Sequence, residues 1–200
     1  MTFLQTPARI SETLEALCEK VSPGNKPEFI EVEPNPKFIP DNCYPNVEEL
    51  VAANGGSSEF GWAIYEWPRV WFEFQHHAVW RDPDGKLRDQ TPRADNESVA
   101  LFLPADVPYS GDHIDTQWFP ASDSTEILRI TEIQKEINDL KAAYFNKVGF
   151  TSTMDDESAK PVIALEHEKA QILAMMNYMP SRNDLCPCMS RKKFKHCHGR

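Results

Sequence analysis

The sequence predicts an α+β body with a small antiparallel or mixed sheet and flanking helices, followed by a short C-terminal appendage organised by metal. Three observations carry this prediction. Apolar residues recur at helical spacing near both ends of the body, and a central block rich in aromatic and β-branched residues brackets a turn at Asp82-Pro83-Asp84-Gly85. The last nineteen residues gather three cysteines and two histidines. Two hundred residues suit one domain of ordinary size over 1–180 with an appendage at 182–200, and forty per cent hydrophobic residues with five tryptophans are enough to build a core.

Thr6-Pro7 has the form of an N-cap followed by a proline in the first turn. Ile10, Leu14, Leu17 and Val21 then share one helical face, with Cys18 beside them as a small buried hydrophobe. From Ser22 to Pro45 six prolines predict an extended segment without regular structure. A short helix is expected over Asn46–Asn54, stopped by Gly55-Gly56. Strands are expected over 60–67, 70–81 and 86–91, with a further one over 98–103. After a connection rich in Pro and Asp, the pair Asp123/Glu126 marks a helix start. Ile127, Ile130, Ile133, Ile137, Leu140 and Tyr144 supply that helix's apolar stripe, and a last helix is expected over 159–179, ending at Pro180. The helical part of the body is therefore 123–179.

In the appendage Cys186 and Cys188 flank Pro187, eight residues intervene, and Cys197 is followed directly by His198. Three thiolates and one imidazole can converge on one tetrahedral ion, and soft sulfur with borderline nitrogen selects zinc. His196 is a second imidazole within reach, so the nitrogen ligand is either histidine on spacing alone. Arg182-Asn183-Asp184, Cys186-Pro187-Cys188, Ser190, Lys192-Lys193-Phe194 and Cys197-His198-Gly199 closely resemble the SEC-C motif, the zinc-binding module that ends the preprotein-translocase ATPase SecA and recurs in other bacterial proteins. The resemblance implies Cys186, Cys188, Cys197 and His198 as the zinc ligands. Met189 and Arg191 stand where that family usually has glycine, so the metal turn is expected to be strained or reshaped here.

Charge is segregated. Residues 182–200 hold six Lys/Arg against one Asp, leaving fifteen Lys/Arg against thirty Asp/Glu in the body. So acidic a body argues against nucleic-acid binding by the main domain. The basic tail can meet an acidic protein partner or RNA phosphate, or merely balance an anionic zinc-thiolate centre. The sequence has no apolar run long enough to span a bilayer and no signal-peptide core near its start, which reads as a cytoplasmic protein with Cys18 and Cys43 as reduced, unpaired thiols. Gly55-Gly56 lacks the lysine of a phosphate loop, the tryptophans read as core, and His113 with Asp112 and Asp115 as solvated residues.

A second constellation lies in residues 40–105. Cys43 opens a predicted helix, Gln75-His76-His77-Ala78-Val79-Trp80 lies on a strand, and Asp89-Gln90-Thr91 lies on the next. This order is similar to the papain-like superfold as found in transglutaminase-like proteins, and the resemblance implies Cys43 as nucleophile, His77 as base and Asp89 as the group that orients the imidazole. Strand parity agrees. His76 shares a face with Phe72, Phe74, Ala78 and Trp80, whereas His77 shares one with Glu73 and Gln75. A type I turn with Gly85 as a bulge pairs Asp82 with Lys86, sets Asp89 opposite Val79 and leaves it one diagonal step from His77. Asn42 or the Cys43 N–H is the candidate oxyanion donor. Two functions follow as expectations: a thiol hydrolase or acyl transferase acting on protein or peptide amides, or an interaction protein whose zinc tail docks on a chaperone, ribosome or other partner.

Overall fold

The computed structural model describes residues 4–40, 42–93, 97–144, 153–176, 182–183 and 192–197. Its longest feature is a hairpin of two eleven-residue strands, β2 (Ser57–Trp67) and β3 (Trp71–Arg81), paired along their whole length from Ser57↔Arg81 to Trp67↔Trp71. β5 (Val99–Pro104) lies antiparallel on the far side of β2, β1 (Glu28–Val32) antiparallel to β5, and β4 (Leu87–Asp89) parallel to β1 and antiparallel to β3. The order β2-β5-β1-β4-β3, with β3 back on β2, is a closed five-stranded barrel. A sixth strand, β6 (Gln117–Pro120), pairs with the Trp71–Phe74 half of β3.

Closure overturns the expected papain/transglutaminase-like body with its small antiparallel sheet. The sequence reading left 22–45 without regular structure, yet Glu28-Phe29-Ile30-Glu31-Val32 sits between prolines at 27 and 34 and alternates, with Ile30 and Val32 buried and Phe29 exposed. This short strand bridges β5 to β4 and turns an open sheet into a barrel. Ile30, Val32, Val79, Leu87, Ala100 and Phe102 pack together as one apolar cluster drawn from four of its strands. Gly61 on β2 makes room for it: a Cβ there would lie 2.2 Å from the Leu103 carbonyl oxygen and 2.8 Å from the tip of the Phe102 ring.

Among the described residues four α-helices pack on the barrel. α1 (Glu12–Val21) is capped by Ser11, whose Oγ accepts from the Leu14 N–H, five residues later than the expected cap at Thr6. Gln5 instead extends the sheet by exchanging backbone hydrogen bonds with Glu66, and the Thr6 hydroxyl donates to the Val99 carbonyl. Leu14 and Cys18 of α1 cover Trp62, Ile64, Phe72, Phe74, Leu101 and Leu103. α2 (Cys43–Asn54) begins three residues earlier than expected and lies on Ala78 and Trp80 through Cys43, Tyr44, Val47 and Leu50. The isoleucine stripe of α3 (Thr125–Ala142) divides its work. Ile127 and Ile130 pack on Trp67, Val70, Trp71 and Trp118, while Ile133 and Ile137 meet Val162 of α4 (Asp156–Met175). Ser124 caps α3 rather than Asp123; α4, capped by Asp155, begins three residues before the expected start at 159, and residues 177–179 lie outside the described set. All five tryptophans are buried, each worth about 3 kcal/mol or more of packing at such sites. No helix among the described residues is long and apolar enough to cross a membrane.

Of the zinc ligands implied by the SEC-C resemblance, Cys186, Cys188 and His198 lie outside the described residues, so no zinc knuckle is part of the described fold. The described tail has a single turn of 3-10 helix at Phe194–His196, and Lys195 N–H donates to the Arg182 carbonyl at 3.0 Å.

Candidate thiol–imidazole–carboxylate site

β3 is fully paired on one edge and only partly on the other. There β6 covers Trp71–Phe74 and β4 covers Trp80 and Arg81, so no described strand pairs with Gln75–Val79 on that side. α2 packs against this gap. Its first residue is Cys43; the N-cap Asn42 makes no side-chain capping bond and the first turn carries no acid. The helix N–H groups and their partial positive charge are therefore left for whatever lies beside the sulfur.

His77, Asp89 and Cys43 meet here. His77 Nε2 and Asp89 Oδ2 are 2.9 Å apart, with the His77 side chain 15 % exposed and Asp89 fully buried. β3 and β4 pair at Trp80↔Arg88 and Arg81↔Leu87, the register in which Asp89 was expected opposite Val79, and Asp82 N–H bonds the Lys86 carbonyl at 2.9 Å. The turn thus has the expected frame, and Gly85 has a φ of 85° as the bulge requires. Cys43 is 6 % exposed and lies close enough to His77 to help raise the pKa of the imidazole. With Nε2 engaged by Asp89, Nδ1 is the ring nitrogen left for the sulfur.

The electrostatics follow the geometry. Burial works against the His77 cation, but the charge of Asp89 and then of Cys43, with the hydrogen bond to Asp89, outweigh it and raise the imidazole to about 10. Burial likewise opposes the Asp89 carboxylate, yet His77, Arg93 and the Thr91 N–H hold it below its ordinary value. A cationic imidazole lies between a carboxylate and a sulfur. Cys18 is the contrast. Burial first, and the charge of Glu15 second, push its thiol up to about 12.

His76, adjacent in sequence, plays a different part. Its Nε2–H donates to the Val107 carbonyl at 2.7 Å, its Nδ1 lies 2.7 Å from the Tyr44 hydroxyl, and Tyr44 stacks on Tyr109 with ring centroids 3.6 Å apart. This pins the 105–109 segment beside the α2 N-terminus. Glu73, on the His77 face, is buried and accepts from Trp71 Nε1 at 3.2 Å and Gln75 Nε2 at 2.7 Å; burial raises its pKa against these donors. Sequence reasoning missed the roles of Tyr44, His76, Asn46 and Glu73. For Glu73 a signal existed, an acid amid aromatics on one strand. His113 is half-buried, with Nε2 3.5 Å from Asp115, rather than freely solvated.

Among the described residues no three His, Cys, Asp or Glu side chains converge as a metal site. The tail's donor set, three thiols with an imidazole, nevertheless fits zinc chemically. Cys197, the one of these four expected donors that is described, is half-buried.

The structure defines a helix-flanked β-barrel carrying a thiol–imidazole–carboxylate constellation, and the sequence adds a Cys/His-rich basic tail. The SEC-C motif family, a zinc-binding type of motif, matches residues 182–200. Over that region the chain is similar to protein translocase subunit SecA of Pelodictyon phaeoclathratiforme, 53 % identical over 34 residues, 17 % of this chain and 3 % of that protein. SecA of Chlorobium luteolum is 51 % identical over 41 residues, 20 % of this chain and 3 % of the relative. A longer match, to SecA of Blochmanniella pennsylvanica, is 32 % identical over 80 residues, 34 % of this chain and 9 % of the relative. The chain thus spans less than a tenth of the length of these curated relatives. No solved structure matches it significantly.

Proposed function

We propose that the body is a thiol hydrolase or acyl transferase acting on amides of a protein or peptide, with the basic zinc tail recruiting its target. The observation that carries this is the 2.9 Å His77–Asp89 bond, joined through the ring to a cysteine at a helix N-terminus. In this reaction the Cys43 thiolate attacks the amide carbonyl carbon, and the oxyanion receives hydrogen bonds from the Cys43 N–H and the Asn42 amide. The His77 imidazolium gives its proton to the amine nitrogen as the C–N bond breaks, leaving an acyl-thioester. Water, or an acceptor amine, then attacks the thioester while His77 takes up its proton, and the thiolate leaves. Asp89 holds the ring orientation and its charge throughout. In the tail, Cys186, Cys188, Cys197 and His198 would hold zinc as a closed structural site, which supplies folding energy rather than chemistry.

Iodoacetamide alkylation, mapped by mass spectrometry between pH 5 and 9, tests the thiol chemistry. Cys43 should react near pH 6 much faster than glutathione, whose thiol is then almost wholly protonated, with buried Cys18 as the unreactive internal control. His77→Ala should remove that advantage and Asp89→Ala weaken it. A Cys43 that is inert, or that follows an ordinary thiol profile insensitive to His77, ends this proposal.

The SEC-C match and the segregation of positive charge into the tail favour a second function, an adaptor that docks on a chaperone, ribosome or other protein without catalysis. An inert Cys43 would leave it standing.

A further inference from the structure

We infer that Asn46 is a positioning residue for the thiol site, acting through Thr91 on Asp89; this rests on the thiol chemistry proposed above. Asn46 lies on α2 three residues after Cys43 and is 5 % exposed. Asparagine is a poor helix former, and a buried amide without partners costs free energy, so its presence there calls for bonds that repay it. It has them. Asn46 Nδ2 donates to the Ile39 carbonyl at 2.9 Å and to Thr91 Oγ1 at 3.3 Å.

Thr91 continues the path. Its backbone N–H donates to Asp89 Oδ1 at 3.0 Å, while Asp89 Oδ2 takes His77 Nε2 at 2.9 Å. The two oxygens of one buried carboxylate are thus divided between the base and the residue that Asn46 holds. Ile39 belongs to the chain leading into α2, and that chain is already tied to the end of β4, with Glu33 N–H on the Asp89 carbonyl at 2.8 Å and Asn35 N–H on the Gln90 carbonyl at 2.9 Å. Asn46 therefore fastens the nucleophile's helix to the segment that carries the orienting carboxylate. The distance from sulfur to ring depends on how α2 sits against β3 and β4: Tyr44 ties the helix to His76 on β3, and the Asn46 amide ties it to the segment that follows β4. A 1 Å shift between such groups is enough to disturb them.

A residue that merely holds the fold would change stability and leave the character of the thiol alone, so the readout is the pH profile of Cys43 alkylation in the full chain, with urea unfolding measured alongside. Asn46→Ala should lower the rate at pH 6 about tenfold, equivalent to moving the profile midpoint up by roughly one pH unit. Thr91→Val, which keeps the N–H to Asp89 and removes only the hydroxyl acceptor, should move it in the same direction. Thr91→Ser should restore the native profile. In an Asp89→Ala background the Asn46→Ala change should add nothing, because residues acting through one another are not additive. The inference is overturned if the wild-type chain has the low-pH profile and both Asn46→Ala and Thr91→Val keep it, or if Asn46→Ala is fully additive with Asp89→Ala; in either case the thiol chemistry itself stands. A wild-type profile like glutathione's overturns both together. Should Asn46→Ala fail to fold, Thr91→Val alone decides.

Discussion

The Tyr44 hydroxyl and His76 Nδ1 lie 2.7 Å apart, and because the opposite ring nitrogen faces the carbonyl oxygen of Val107, the neutral tautomer is fixed: Nε2 carries the proton and Nδ1 accepts from tyrosine. Burial, with a further contribution from His77, holds this imidazole below its ordinary pKa, against the pull of the Val107 carbonyl.

Tyr44→Phe should leave Nδ1 buried without its donor and cost about 1–3 kcal/mol, read as a lower urea midpoint at unchanged slope. The pH dependence has a definite sign. The unfolded chain takes up a proton near pH 6.5 that folded His76 refuses, so this group contributes stability that is full above about pH 6.5 and is lost as pH falls below it. Replacing His76 with Gln should flatten that acid-side loss. A midpoint unmoved by Tyr44→Phe would mean that the hydroxyl finds equal bonding with water in the native state.

What could be read from the chain, and what could not, divides along physical lines. The Asp82–Gly85 turn is local, so its chemistry fixed the β3–β4 register and with it the diagonal from His77 to Asp89. The α3 stripe was legible for the same reason, with four isoleucines at helical spacing. Closure of the barrel was not, because it depends on five residues of β1 whose partners lie more than fifty positions away and whose proline flanks read as irregular chain. The cap of α1 was misplaced because Gln5 and Thr6 are drawn into the sheet by Glu66 and Val99, a tertiary preference that overrides a local one. Asn46 was read as the start of a helix; its service to Thr91, forty-five residues on, appears only in three dimensions.

Asp89→Asn isolates the charge of the buried pair, since the amide oxygen can still accept from Thr91. His77 is raised to about 10 when folded, so its contribution is full below about pH 6.5, where the unfolded histidine is also protonated, and is lost as pH rises toward 10. Asp89 is depressed, so its contribution is full above about pH 4 and is lost as pH falls through its lowered folded value. The stability difference between wild type and Asp89→Asn should therefore be greatest between about pH 4 and 6.5, on the order of 1–3 kcal/mol, and shrink steadily toward pH 10. Denaturant titrations at five or six pH values measure it. A difference that stays level from pH 5 to 10 would show that the folded imidazole is not held as a cation.

The tail and the body should prove separable. Nineteen residues cannot enclose a core of their own, so zinc bound by the tail should supply most of its folding free energy, since in zinc-organised segments binding and folding are one equilibrium. The described contacts agree: Phe194 is only half-buried, and Asn183 and Lys193 line a surface cavity of about 370 Å³ together with Gln5, Arg9 and Glu66 rather than entering the core. Elemental analysis of protein purified without chelator should give one zinc per chain, and Cys186→Ser/Cys188→Ser should abolish it. Ending the chain at residue 181 should keep a cooperative thermal transition within about 2 °C of the full-length midpoint, the shift expected when little stability is lost, and should leave the alkylation profile of Cys43 intact. Zinc retained by the double serine variant would place the ion elsewhere. Loss of the cooperative transition on truncation would mean instead that the tail is a structural part of the barrel domain, and a body that keeps its transition but loses Cys43 reactivity would tie the tail to the thiol site.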